Sequence, residues 1–262
     1  MTGRTVIITG GAGKLSQSFA IALGSAGATV ALADLNRERA EHAATTVKDM
    51  GIDALGVGCD VASEADIKQL FDQVQAHSGR VDSLIHNVMN KPENYYASFE
   101  TYDKPTWEMV LGANLTGAFI LCREAAKRLG RGGSVVLTGS VYGMVGPDQR
   151  IYQGKGGDNP YNTSEPLSTP AAYSASKAGL LGLVRHLAAL WGSKGIRINM
   201  LTPGGIEDGQ SETFVKAYSD RTPLKRMASW EDYQGAILLL CSEASRYMTG
   251  ANLVVDGGWT AW

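Results

Sequence analysis

Apolar positions along this chain switch repeatedly between two rhythms. Thr5–Ile8 is a short β-branched run that stops at Thr9-Gly10-Gly11-Ala12-Gly13. Beyond it Phe19, Ala22, Leu23 and Ala26 recur at the spacing of a helix face, which Gly27 ends. The same alternation then continues. Strands are predicted over Thr29–Ala33, Ala54–Gly58, Val81–His86, Ser134–Thr138, Ile196–Leu201 and Asn252–Val255. Between them, helices are predicted from a cap at Asn36 to about Met50 and from a cap at Ser63, with Ile67, Leu70, Phe71 and Val74 on one face. Three more follow over Trp107–Leu129, over Ala171–Trp191, and near Trp230–Cys241.

Strands that are apolar at nearly every position are buried on both faces, and alternation with helices makes them parallel. The expected fold is therefore α/β: a Rossmann-like doubly wound parallel sheet of about seven strands, with helices on both faces. One domain is expected over residues 1–262. In such sheets ligands sit outside the carboxyl ends of the strands. Three connections, Asn87–Lys104, Gly143–Pro170 and Pro203–Thr222, are too long for plain turns and are expected to be binding loops or lids.

Composition narrows the partners. A formal net charge of −2 and the absence of a basic stripe argue against nucleic acid or an anionic membrane. The longest apolar stretches, such as Gly235–Cys241, are too short to span a bilayer. No signal or transit peptide is expected ahead of the first strand. Cys59, Cys122 and Cys241 lie far apart, and His42, His77, His86 and His186 show no ligand spacing. Free thiols, a cytoplasmic location and no metal are the expectation.

The first glycine-rich turn joins a strand to a helix. Glycines let its backbone and the helix N-terminus approach a pyrophosphate. Gly10, Gly13, Lys14 and Leu15 are candidate phosphate contacts. Asp34 closes the second strand, where a carboxylate can accept from both ribose hydroxyls and repel a 2′-phosphate. That favours NAD over NADP, although the Lys14 cation could serve either.

Tyr173-Ser174-Ala175-Ser176-Lys177 puts a phenol and an ammonium on one helix face. A phenol titrating near pH 10 is a poor base until a neighbouring cation stabilises the phenolate. Ser140, just past the fifth strand, can donate to a developing alkoxide. Asn114, inside the long helix, can hold a water that relays protons to Lys177.

These motifs, in this order, resemble the short-chain dehydrogenase/reductase family over nearly the whole chain. The likeness runs through Thr9-Gly10, Asp60-Val61, Asn87, Asn114, Ser140, Tyr173/Lys177, Asn199, Pro203-Gly204 and Val255-Asp256-Gly257-Gly258. The resemblance implies a tyrosine base, a serine stabiliser, a lysine that also clamps the cofactor ribose, and an asparagine relay. It places Asp60 and Val61 beside the adenine, Asn87 near the adenosine ribose and Ile206 near the nicotinamide amide, with Pro203 and Gly204 also binding the cofactor. It also implies a homotetramer or homodimer packed through the two long helices.

The chain departs from the family pattern in three places. Lys14 and Ser16 stand where loop glycines are usual, and His86-Asn87-Val88-Met89 replaces Asn-Asn-Ala-Gly. His86 is expected to be packed at a strand end. An insertion at about 147–169 separates Ser140 from Tyr173.

That insertion carries Asp148, Gln149, Arg150, Tyr152, Gln153, Lys155, Asp158, Asn159 and Tyr161, polar and aromatic in character. Tyr142, Arg150, Tyr152 and Gly205 are candidate substrate contacts, with Arg150 or Lys155 available to an anionic group. Asn94–Phe99 and a mobile lid at about 205–222 complete the pocket. Pro147–Tyr152 also resembles sugar-pathway oxidoreductases of the flagellin-modification type. The expectation is an NAD-dependent oxidoreductase acting on the CH–OH group of a sugar, sugar acid or similar polar molecule. The alternatives are a reductase of 3-oxoacyl thioesters or other hydrophobic carbonyls, and a nucleotide sensor without catalysis.

Overall fold

The computed structural model describes residues 1–152 and 167–262. Seven strands form one sheet: β1 Thr5–Thr9, β2 Thr29–Asp34, β3 Ala54–Gly58, β4 Ser83–His86, β5 Ser134–Thr138, β6 Arg197–Pro203 and β7 Asn252–Val255. Their order is β3-β2-β1-β4-β5-β6-β7, and every neighbouring pair is parallel. The direction of winding reverses between β1 and β4. A crevice therefore opens at the carboxyl ends of those two strands.

The helices are α1 Lys14–Ser25, α2 Arg37–Lys48, α3 Glu64–Ser78, α4 Lys104–Leu111, α5 Gly117–Ala125, α6 Ala171–Trp191, α7 Glu212–Arg221 and α8 Gln234–Cys241. One face of the sheet is covered by α3, α5 and α6, burying Phe71, Leu121, Leu180 and Trp191. The other is covered by α1, α2 and α8, burying Phe19, Leu23, Val47 and Ile237. Each such side chain contributes about 1.5–3 kcal/mol by leaving water. The expected caps are in place: Asn36 Oδ1 accepts from Arg39 N at 3.0 Å, and Ser63 Oγ from Asp66 N at 3.2 Å.

Two elements differ from the sequence reading. The single helix expected over Trp107–Leu129 is α4 and α5 joined by a π turn at Gly112–Thr116, and α5 ends at Ala125. Gly112, Asn114, Thr116 and Gly117 are weak helix formers, and a wider turn inserts one residue where a buried polar side chain needs partners. Inside Pro203–Thr222, expected to be irregular, lies α7. Ser211 Oγ caps it by accepting from Phe214 N at 3.3 Å, while Phe214 and Tyr218 form its buried stripe. Of the insertion, Gln153, Lys155, Asp158, Asn159 and Tyr161 lie outside the described residues.

Candidate active site

A cleft of about 910 Å³ opens at the carboxyl ends of the strands. At its floor, Gly10 has φ +70°, and a Cβ there would stand 2.5 Å from the carbonyl oxygen of Asn87. A Cβ on Gly11 would stand 2.8 Å from backbone atoms of β2. Only glycine fits at either position. Gly13 precedes α1 without a side-chain cap, so the helix presents its first amides to an anion.

The two loop departures have distinct fates. Ser16 is buried and accepts from Asn87 Nδ2 at 2.8 Å, tying the end of β4 to α1. Lys14 reaches across the cleft mouth to an ion pair with Asp208 and lies 6.0 Å from the Trp230 ring centroid.

Asp34 turns its carboxylate into the same end. Its Oδ2 accepts from Ala12 N at 3.1 Å and its Oδ1 from Asn36 N at 3.3 Å. Asp60 Oδ1 accepts from Ala62 N at 2.8 Å. Gly10, Gly13, Lys14, Leu15, Asp34, Asp60, Val61, Asn87, Pro203, Gly204 and Ile206, scattered over the sequence, all line this one cleft. A glycine cradle at a helix N-terminus, with a fixed carboxylate at the next strand end, fits a dinucleotide.

The opposite wall brings Ser140, Tyr173 and Lys177 together. Lys177 Nζ is buried, 5.9 Å from the Tyr173 ring centroid, and donates to Thr138 O at 2.9 Å and Val88 O at 3.2 Å. An ammonium has three N–H bonds, so one remains for a ribose hydroxyl. Burial pulls Lys177 down to about 8. Ser140 Oγ accepts from Tyr142 N at 3.2 Å and keeps its own proton to donate.

Asn114 stands behind the cleft wall. Its Oδ1 accepts from Asn90 N at 3.1 Å and its Nδ2 donates to Ser176 Oγ at 3.1 Å. His86 is fully buried, as expected of a packed strand-end residue, and lies between Thr9 and the Asn114 backbone. Burial holds it down at about 3, helped by the Lys177 charge.

Beyond Tyr173 the pocket turns aromatic. Tyr152 donates to the Tyr142 hydroxyl at 2.9 Å, and Tyr152 and Phe214 stand 5.4 Å apart by centroid. Tyr218 stacks on Trp259 at 4.1 Å and accepts from Gly205 N. Burial pushes the Tyr142 and Tyr218 phenols well up, so both stay protonated donors.

Of the four substrate candidates, Tyr142, Tyr152 and Gly205 line the cleft and Arg150 does not. Its guanidinium is 81% exposed and forks onto Asp148, two residues earlier, at 2.8 and 2.7 Å. Asp208, Gln210, Met227 and Trp230 also line the cleft and were not singled out individually. Cys59, Cys122 and Cys241 are buried, and burial pushes each thiol up to about 12.

The family model described as short chain dehydrogenase matches residues 4–153, and one described as Enoyl-(Acyl carrier protein) reductase matches residues 161–260. The chain belongs to the short-chain dehydrogenase/reductase family. It is an oxidoreductase acting on CH–OH groups with a nicotinamide dinucleotide of the NAD(P) class. This short-chain dehydrogenase is 34% identical to a D-arabinitol 2-dehydrogenase (ribulose-forming) of Scheffersomyces stipitis, covering 100% of this chain and 95% of that one. Two solved structures superpose closely. An NAD+-bound xylitol dehydrogenase does so with TM-score 0.83 and 25% identity, over 98% of this chain and 99% of that one. A gluconate 5-dehydrogenase from Burkholderia cenocepacia, in complex with NADP and tartrate, does so with TM-score 0.85 and 27% identity, over 100% and 97%.

Proposed function

We propose that this enzyme is an NAD-dependent dehydrogenase that oxidises a secondary hydroxyl of a polyol or sugar to a ketone, or runs the reverse reduction. The observation that carries the reading is one wall of one cleft. Tyr173, Lys177 and Ser140 stand there beside a pocket of hydroxyl-bearing aromatic rings. Aromatic faces suit the C–H faces of a carbohydrate, and phenols hydrogen-bond its hydroxyls. The curated relatives named for a pentitol and its ketose point the same way.

The dinucleotide would be held by the Gly10–Leu15 turn and the α1 N-terminus at its phosphates. Asp34 would hold its adenosine ribose, Asp60, Val61 and Asn87 would flank that end, and Lys177, Pro203, Gly204 and Ile206 the other. Bound there, the nicotinamide supplies the hydride acceptor.

The protein handles the proton. Tyr173 Oη takes the proton of the substrate hydroxyl as the ketone forms, and the nearby Lys177 ammonium favours the phenolate that permits this. Ser140 donates to the same substrate oxygen and stabilises its developing charge. Asn114, behind the cleft wall, would hold a water on the proton path to Lys177. Asp34 favours NAD because a 2′-phosphate would meet its charge. The α7 segment, which supplies Phe214 and Tyr218 to the pocket, acts as the lid. Exposed Met109 and Phe119 on α4 and α5 offer an apolar face for a homodimer or homotetramer.

The test is a panel of pentitols, tetritols, sugars and aldonates with NAD and NADP in parallel, followed by NADH absorbance. Tyr173→Phe is expected to lower turnover by about a hundredfold or more while NADH still binds. Unchanged turnover refutes the mechanism. A preference for NADPH-driven reduction of acyl-thioester ketones refutes the substrate class.

A further inference from the structure

Four buried hydrogen bonds lie in sequence, two on either side of Asn114, whose backbone ends the first pair and whose side chain begins the second. The Thr9 hydroxyl and His86 Nδ1 are 2.9 Å apart, and His86 Nε2 is 3.2 Å from the Asn114 carbonyl oxygen. Asn114 Nδ2 donates to Ser176 Oγ at 3.1 Å, and Ser176 Oγ donates to the Tyr173 carbonyl at 2.8 Å. Thr9, His86, Asn114 and Ser176 are each at most 1% exposed.

Donor chemistry fixes the direction. A carbonyl only accepts, so His86 carries its proton on Nε2. In the neutral ring Nδ1 can then only accept, and Thr9 must donate to it. Likewise Ser176 spends its proton on Tyr173 and accepts from Asn114. The bonds form two polarised pairs, Thr9 to His86 to the Asn114 backbone and the Asn114 side chain to Ser176 to Tyr173, joined through the covalent frame of Asn114.

We propose that His86 is a positioning residue, the middle of a one-directional strut that fixes the backbone of Tyr173 relative to the phosphate loop. This rests on reading Tyr173 as the proton-exchanging group. The ends of the strut are what separate it from ordinary core packing. Thr9 immediately precedes Gly10, whose φ sets the loop, and the far end is the residue that bears the phenol. The junction at Asn114 sits in the π turn, and its Oδ1 also receives Asn90 N at 3.1 Å. That contact pins the loop after β4, whose Val88 carbonyl accepts from Lys177 at 3.2 Å. Tyr173 and Lys177 are thus both tied to the Asn114 carboxamide, and His86 holds the backbone carbonyl of that same residue. An asparagine at position 86 would reach Thr9 but fall short of Asn114. His86 spans from Thr9 to the Asn114 backbone.

The experiment uses the full-length enzyme with its best substrate and NAD. His86→Gln places an amide nitrogen about where Nε2 stands and keeps the donor to Asn114, whereas His86→Asn keeps only the Thr9 end. In His86→Asn, kcat is expected to fall about tenfold to a hundredfold with KM within about threefold, since small misplacement of a reacting group is that costly. The kcat–pH profile should move to higher pH, and His86→Gln should recover most of both effects. If His86→Asn does not fold, Ser176→Ala cuts the same strut one bond from Tyr173 and should give the same kcat-selective loss and alkaline shift. A folded His86→Asn, or in its absence Ser176→Ala, with wild-type kcat and pH profile overturns the proposal. So does a His86→Gln that melts normally yet loses as much as His86→Asn. Tyr173→Phe is assayed alongside. If it stays active, the catalytic reading fails and takes this one with it. If it is inactive while the strut variants are normal, only the strut falls.

Discussion

Acidification should cost this protein stability through a single buried ring. His86 is held at about 3 in the folded chain against 6.5 in the unfolded one, because burial disfavours its charged form and the Lys177 ammonium opposes it. Between those two values the unfolded chain binds a proton that the folded chain refuses. Stability from this residue is therefore complete above pH 6.5 and is lost progressively as pH falls toward 3. From pH 7 to pH 4.5 the loss amounts to about 2.5 kcal/mol, close to two pH units at 1.36 kcal/mol each. That is a sizeable share of the about 5–15 kcal/mol that holds a domain of this kind together.

Urea unfolding of wild type and His86→Gln at both pH values isolates the contribution. The carboxylates of Asp148 and Asp232, held at about 2 by Arg150 and Arg226, also weaken the fold in acid, but they cancel in the comparison. Wild type should lose about 2.5 kcal/mol more than His86→Gln. Equal losses, or an imidazole signal missing from His86→Gln that titrates near 6.5 in the folded wild type, would refute the reasoning.

Gly10→Ala puts a Cβ 2.5 Å from a backbone oxygen at φ +70°, so NADH affinity should drop more than tenfold, by about 1.4 kcal/mol or more, in a fluorescence titration. Asp34→Asn removes the charge that opposes a 2′-phosphate, and the NAD-to-NADP ratio of kcat/KM should fall about tenfold or more. Lys177 is pulled down to about 8, so NADH binding should weaken as pH rises through that value and the ammonium empties; Lys177→Arg should flatten the dependence.

The strands were legible because burial on both sheet faces leaves an unbroken apolar signal, and Ala54–Gly58, Ser134–Thr138 and Asn252–Val255 fall where expected. The juxtaposition of Tyr173 and Lys177 was legible for another reason: helix spacing couples them, a local property. The π turn was not, since its cause is a set of partners distant in sequence, His86, Asn90 and Ser176, that only the fold assembles around Asn114. Sequence shows the Arg150 charge but not which neighbour claims it. Asp148 claims both Arg150 and Arg221, leaving Arg221 4.9 Å over the Trp259 ring. The helix α7 was hidden by its polar average, although Phe214 and Tyr218 stand at helical spacing and Ser211 is a usable cap.

The Lys14–Asp208 pair spans the mouth through which any dinucleotide must pass. A phosphate arriving at α1 does not meet a bare cation. It meets one already neutralised, so its capture is an exchange of one anion for another, with little net electrostatic gain. The same carboxylate stands ready to reclaim the lysine when the spent cofactor leaves. On the proposed reading of the cleft, turnover would be protected from overly tight retention of the coenzyme, and added salt, which screens both partnerships alike, should shift residence time less than the visible charge suggests.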